Sequence, residues 1–149
     1  MATTTTCTLA ASTVAARYLH EGTVTLSGKV TLAGSAADGD VYLLCKIPHG
    51  ATVVDGWYNL GASDGAAEMN LGFAGNVDDE DAILASVSAS NVVHHFGASK
   101  NTPIKVSVTD NVRNQFAFLA ATVGSATSSA TWVGTMHFSV QYNFDMPVS

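Results

Sequence analysis

Few residues of this chain have the type and spacing to do chemistry, and the most literal match is Gly61-Ala62-Ser63-Asp64-Gly65. These are the letters of the G-x-S-x-G nucleophile elbow, in which a strand leads in, a helix leads out, and the strained turn lifts the serine to the helix N-terminus. Hydrolytic chemistry at Ser63 needs that helix. Instead, residues 67–73 alternate in period two, with Ala67, Met69, Leu71 and Phe73 on one face and Glu68, Asn70 and Gly72 on the other. With a strand on each side, the five letters make a hairpin loop.

Five histidines invite a metal reading. His94 and His95 are adjacent, and consecutive side chains of a strand point to opposite faces, so the two do not share one ion. His20, His49 and His137 lack the H-x-H or H-x-x-x-H spacing beside a cysteine or carboxylate that a zinc site uses, and they read as surface or edge residues. The acidic run Asn76-Val77-Asp78-Asp79-Glu80-Asp81 clusters hard oxygen ligands without the D-x-D-x-D-G spacing of a calcium loop, so a solvated turn is expected. No Walker A, dinucleotide or zinc pattern occurs. No catalytic residue, metal or cofactor is therefore assigned, and the chain is expected not to be an enzyme.

Aromatic residues are the remaining candidates. Trp132 and Tyr142 fall on the apolar phase of a long strand, which makes them core. Trp57 shares a phase with Val53, Asp55 and Asn59, whereas Tyr58 sits with Val54 and Leu60. An outward Trp57 would anchor an interface or stack on a sugar.

The bulk properties narrow the function classes. A chain of 149 residues is one domain with room for a proper core. It is 47% hydrophobic and only 12% charged, about half the usual charged fraction. A surface that poor in charge is either a neutral polar one or one covered by partners; the second is preferred, because interface cores are depleted of charge. The net charge of −6 and the six scattered Lys and Arg residues exclude a nucleic-acid binder, which needs a basic stripe to neutralise phosphates. No apolar run approaches the length of a membrane span. The opening MATTTTCTLAASTVAARYLHEG lacks the basic and continuous apolar regions of a secretory signal. Cys7 and Cys45 do not make a disulfide framework; Cys45 reads as a small core residue, and folding in a reducing, cytosolic compartment is expected.

The elements that must position these residues are strands. The chain is organised around 39–75: strands at 40–47, 52–60 and 67–73, joined by Pro48-His49-Gly50-Ala51 and by 61–65. In the first, Val41, Leu43, Cys45 and Ile47 alternate with Asp40, Tyr42, Leu44 and Lys46. Upstream, 23–32 puts Val24, Leu26, Val30 and Leu32 on one face, with Gly28 in the same phase, where a bulge or close packing would explain it. In 82–90, Ile83, Leu84 and Val87 would share a helical face capped by Asp78 or Asp79; a strand also fits, and a helix is preferred. Strands are expected at 91–96 and 103–109, a central strand covered on both faces at 115–123, a loop at 124–129, and a long strand at 131–144 with Trp132, Met136, Phe138, Val140, Tyr142 and Phe144 inward. About eight strands and at most one short helix make an all-β protein, an antiparallel β-sandwich of jelly-roll-like form. Residues 1–20 are expected to be a flexible arm and 21–149 a single sandwich domain. On composition the arm is a disordered tail; its Thr and Val content also permits a strand added to a neighbouring subunit. The candidate interface residues are Thr4, Thr5, Thr6, Arg17 and Tyr18 of the arm region, and Trp57.

One pattern resembles a known family. Ile47-Pro48-His49-Gly50-Ala51-Thr52-Val53, then Met69-Asn70-Leu71-Gly72-Phe73-Ala74-Gly75, then Asp81-Ala82-Ile83-Leu84-Ala85 is similar to a turn–strand–strand series in tailed-bacteriophage virion proteins. Asn70 and Phe73 replace the more usual residues. The resemblance implies a capsid decoration (cement) protein: a β-sandwich that binds the capsid exterior, commonly as a homotrimer, with the major capsid protein as partner. It implies a place in the virion, assembled in the host cytoplasm. A carbohydrate- or receptor-binding sandwich using Trp57 or Tyr58 is the alternative.

Overall fold

The alternating sequence folds into strands, and no helix occurs among the described residues. The structure, a computed structural model, describes residues 4–6, 24–32, 34–35, 37–59, 62–63, 67–75, 78–88, 93–96, 104–107, 116–126, 131–133 and 135–144. In chain order the strands are β1 (Thr4–Thr6), β2 (Val24–Thr31), β3 (Val41–Pro48), β4 (Ala51–Asn59), β5 (Ala62–Ser63), β6 (Ala67–Ala74), β7 (Asp79–Ser88), β8 (Val93–His95), β9 (Ile104–Lys105), β10 (Phe116–Ala126), β11 (Trp132–Val133) and β12 (Thr135–Phe144).

Ten of these strands form two sheets. Sheet A runs β1-β3-β10-β6-β7; sheet B runs β2-β12-β4, with β8 and β9 sharing the far side of β4. β5 and β11 make a separate two-stranded piece. Every strand pairing is antiparallel except β1 on β3, which is parallel. The pairs are nested: β2 with β12, β3 with β10, β4 with β8 and β9, β6 with β7. Successive pairs fall in alternate sheets, so the chain is one long antiparallel ribbon rolled into a sandwich, which is the jelly-roll arrangement. A single buried cluster draws on both sheets, with Leu44, Ile47, Met69, Leu71 and Leu119 from sheet A and Val53, Tyr58, Phe138 and Tyr142 from sheet B.

The β2 alternation is as expected: Thr25, Ser27, Lys29 and Thr31 are exposed, and Val30 and Leu32 are buried. Its pairing with β12 runs unbroken through Gly28 opposite Phe138, so no bulge explains that glycine. Elsewhere, bulges change the phase. Cys45 pairs with Leu119 and Leu43 with Ala120, leaving Leu44 as an extra residue, so Tyr42, Leu44, Cys45 and Ile47 are all buried. In β4, Gln141 faces Asp55 and Tyr142 faces Val53, leaving Val54 extra; Val53 therefore shares the core with Tyr58 instead of sharing a face with Trp57.

The preferred helix at 82–90 is a strand, β7, through Ser88. Two bulges against β6 produce the helix-like spacing. Leu71 pairs with Leu84 and Phe73 with Asp79, so residues 80–83 loop past Gly72; Met69 pairs with Val87, so Ala85 and Ser86 together face Asn70. Ile83 is thereby buried, and Leu84 and Val87 pack against the core from one strand. A Cβ on Gly72 would strike the backbone of Asp79 and Glu80, so only glycine lets β7 fold this closely over β6. The expected loop at 124–129 does not start at Gly124, which is a bulge within β10, and pairing continues to Ala126; residues 127–129 lie outside the described residues.

Candidate interaction surfaces

Trp57 points away from the core, on the outer face of sheet B, and is half-buried. Registers across four strands set Ser27, Ser139, Trp57 and His95 in one row. The Ser27 hydroxyl donates to the Ser139 hydroxyl at 2.9 Å. The next row holds Lys29, His137, Asn59 and Val93. Val93, 46% accessible, is the exposed large hydrophobic among the described residues. On the other side of Trp57, Asp55 sits opposite Gln141 and accepts a hydrogen bond from the Gly56 amide at 2.7 Å. Around the one indole the face carries hydroxyls, amides and imidazoles, with one lysine, one carboxylate and one exposed valine. Residue types and spacing offer no means to bring His95 or Ser139 beside Trp57, because that neighbourhood depends on inter-strand register.

Behind this face, Tyr58 and His94 pair across β4 and β8 with ring centroids 5.5 Å apart. The Tyr58 hydroxyl and His94 Nε2 are both buried without a hydrogen-bond partner. Burial pushes the Tyr58 hydroxyl well above the ordinary tyrosine range. His95, the next residue, is exposed beside Trp57, so the adjacent histidines do separate to opposite faces.

Thr4, Thr5 and Thr6 form β1 on the edge of sheet A, opposite Val41, Tyr42 and Leu43, and all three are exposed. They and Trp57 lie in different sheets, so the structure does not gather them into one site. Arg17 and Tyr18 lie outside the described residues.

At the far edge of sheet A, Asp78 closes a turn by accepting from the Gly75 amide at 3.1 Å. Asp78, Asp79 and Glu80 rim a cavity of about 340 Å³ whose floor includes Val41, Ala74 and Thr122. Loss of solvent raises the Asp79 carboxyl, and a hydrogen bond with Asp81 and that residue's charge raise it further. Among the described residues no three His, Cys, Asp or Glu side chains are grouped to hold a metal. Ser63 is paired with Trp132 in the β5–β11 piece, a strand pairing in place of the expected hairpin loop. Gly61, Asp64 and Gly65 lie outside the described residues.

No family model matches this chain, and no curated protein matches it by sequence. Solved structures do match. A chain of the capsid of Ralstonia phage GP4 superposes with a TM-score of 0.69 at 14% identity, over 96% of this chain and 99% of that one. A chain of the cyanophage Pam1 capsid asymmetric unit gives 0.57 at 18% identity, over 87% of this chain and 94% of that one. At these identities the likeness is one of fold: the rolled two-sheet ribbon of this chain is, over nearly its whole length, an architecture found in phage capsid structures.

Proposed function

We propose that this chain is a non-enzymatic structural protein of a tailed-phage virion, assembled in the host cytoplasm, which binds and stabilises the capsid shell as a decoration (cement) protein. The observation that carries the reading is the near full-length likeness of fold to chains of two phage capsids, which leaves little of either partner unmatched. The low charge of the chain supports it, since extensive burial between subunits favours uncharged faces. So does the Thr-rich strand β1 lying exposed on a sheet edge, where an arm could exchange partners. The major capsid protein is the partner, the oligomer is a homotrimer, and the arm (residues 1–20) and Trp57 supply contacts, with the remaining chain as one sandwich domain. Binding energy comes from a buried interface above about 1,000 Å². Purified protein mixed with particles lacking it should co-sediment and add density to the shell in electron cryomicroscopy. A strict monomer with no affinity for particles, arm intact, overturns the role.

The outward setting of the half-buried Trp57 among polar side chains favours a second reading, a carbohydrate- or receptor-binding module. Glycan-array binding abolished by Trp57→Ala with the fold preserved would select it over the first.

A further inference from the structure

A sandwich of two open sheets has four edges, and each exposes a row of backbone N–H and C=O groups able to template another strand. Three of the four are managed here. The β3 edge carries β1. The β7 edge is broken by two bulges and opens with Asp79, Glu80 and Asp81. The edge beyond β4 is divided between β8 and β9, of three and two residues. The fourth edge, β2, is neither covered, bulged nor short among the described residues, and its one charged residue is Lys29. It is eight residues long, contains no proline, and pairs with β12 without a register shift. Among the described residues no strand lies on its outer side. At this edge the core also thins: Val30 is buried, but Val24 and Leu26, on the same face, are only half-buried.

We infer that β2 is a homophilic interface, at which two copies of this chain pair their β2 strands antiparallel about a two-fold axis and join two B sheets into one. The occupant is a second copy because the strand is complementary to itself. Its outer face is all Thr, Ser and Lys and its inner face all Val, Leu and Gly, so an antiparallel pair that keeps the inner faces together matches apolar to apolar along its length. Two registers do this with seven residues paired. One sets Ser27 against its own copy and Leu26 against Gly28; the other sets Ser27 against Lys29 and Leu26 against Val30. Neither opposes two lysines. A closed two-fold pair also consumes the edge, whereas an open one would propagate. The inference stands apart from the capsid role, since it needs only the purified chain, and it adds a two-fold contact to any three-fold one.

Sedimentation and hydrogen exchange of the full chain test it. Sedimentation should show a reversible dimer, and amides of β2 should gain protection as concentration rises through the dissociation constant. Ser27→Lys places like charges across the axis in either register and should weaken the dimer about tenfold. Ser88→Lys, an equally exposed change on β7 of sheet A, should leave it unchanged. A monomer at millimolar concentration overturns the inference. So does a dimer indifferent to Ser27→Lys, or β2 amides already protected in the monomer, which would mean the chain covers its own edge. If Ser27→Lys does not fold, the concentration dependence of exchange in the unaltered chain decides alone.

Discussion

The Asn70 side-chain oxygen accepts a hydrogen bond from the Ser86 amide at 2.8 Å, across the bulge where two residues of β7 face one of β6. Ser86 is held at φ 53°, a left-handed conformation that a residue with a Cβ rarely adopts. On its other side Asn70 lies against Gly124, the bulge residue of β10. One buried amide thus sits between irregularities in both neighbouring strands.

Asn70→Leu removes the acceptor from a bulge amide that has no ladder partner. The expected loss is about 1–3 kcal/mol, read from urea denaturation. Ser86→Gly relieves the positive φ and should gain about 0.5–1 kcal/mol in the same assay.

Gly56 and Phe96 form a second dependent pair. Phe96 donates its amide to the Gly56 carbonyl at 3.1 Å, and its ring covers the glycine so closely that a Cβ there would enter the ring and the Ser139 carbonyl. Gly56→Ala should cost about 3 kcal/mol. In a Phe96→Ala background the additional cost should fall but not vanish, because the Ser139 carbonyl remains. A double-mutant cycle measures the difference.

Alkaline pH should unfold this chain through two tyrosines. Burial, with a smaller contribution from Cys45, pushes the Tyr142 hydroxyl up to about 12, and Tyr58 goes higher still. Both are neutral in either state below about pH 10. Above it the unfolded chain ionises first, so stability is full below pH 10 and falls as pH rises toward 12 and beyond. Each unit in that window removes about 1.4 kcal/mol per tyrosine. Denaturation midpoints at pH 9 and 11, with tyrosinate absorbance alongside, check the sign.

Tyr58→Phe deletes a buried hydroxyl that has no partner. It should stabilise the fold at neutral pH by about 1 kcal/mol and shallow the alkaline decline. A destabilised variant in thermal melts would show that the hydroxyl is satisfied in solution.

Deleting residues 1–6 should change stability by no more than about 0.5 kcal/mol, because Thr4–Thr6 are exposed. Under the proposed role, affinity for capsids should fall about tenfold or more in co-sedimentation.

Regular alternation made much of the fold legible: β2 and β12 carry their faces in plain period two, and the nested strand order is compatible with such strands and short connections. The part that stayed hidden lies at the bulges. Leu44 and Val54 look like ordinary members of their strands, yet each is the extra residue that reverses inside and outside for the rest of its strand. Ile83, Leu84 and Val87 imitate a helix because two bulges compress β7. No residue type announces a bulge when the extra residue is leucine or valine. The candidate surface was half legible for the same reason: Trp57 could be nominated by type, but its row with Ser139 and His95 exists only once the register is known.

The nested pairing also sets the order in which the fold can be completed during synthesis. β12 is the middle strand of sheet B, flanked by β2 and β4, yet it is the last of the described strands to be made. The Ser27–Ser139 hydrogen bond closes a separation of 112 residues. Until the ribosome has released β12, β2 has no partner among the described strands, and β4 pairs only with β8 and β9. Such long-range closure makes folding slow, and a chain stalled or cleaved before Thr135 would leave β2 and one side of β4 open to pairing with other chains.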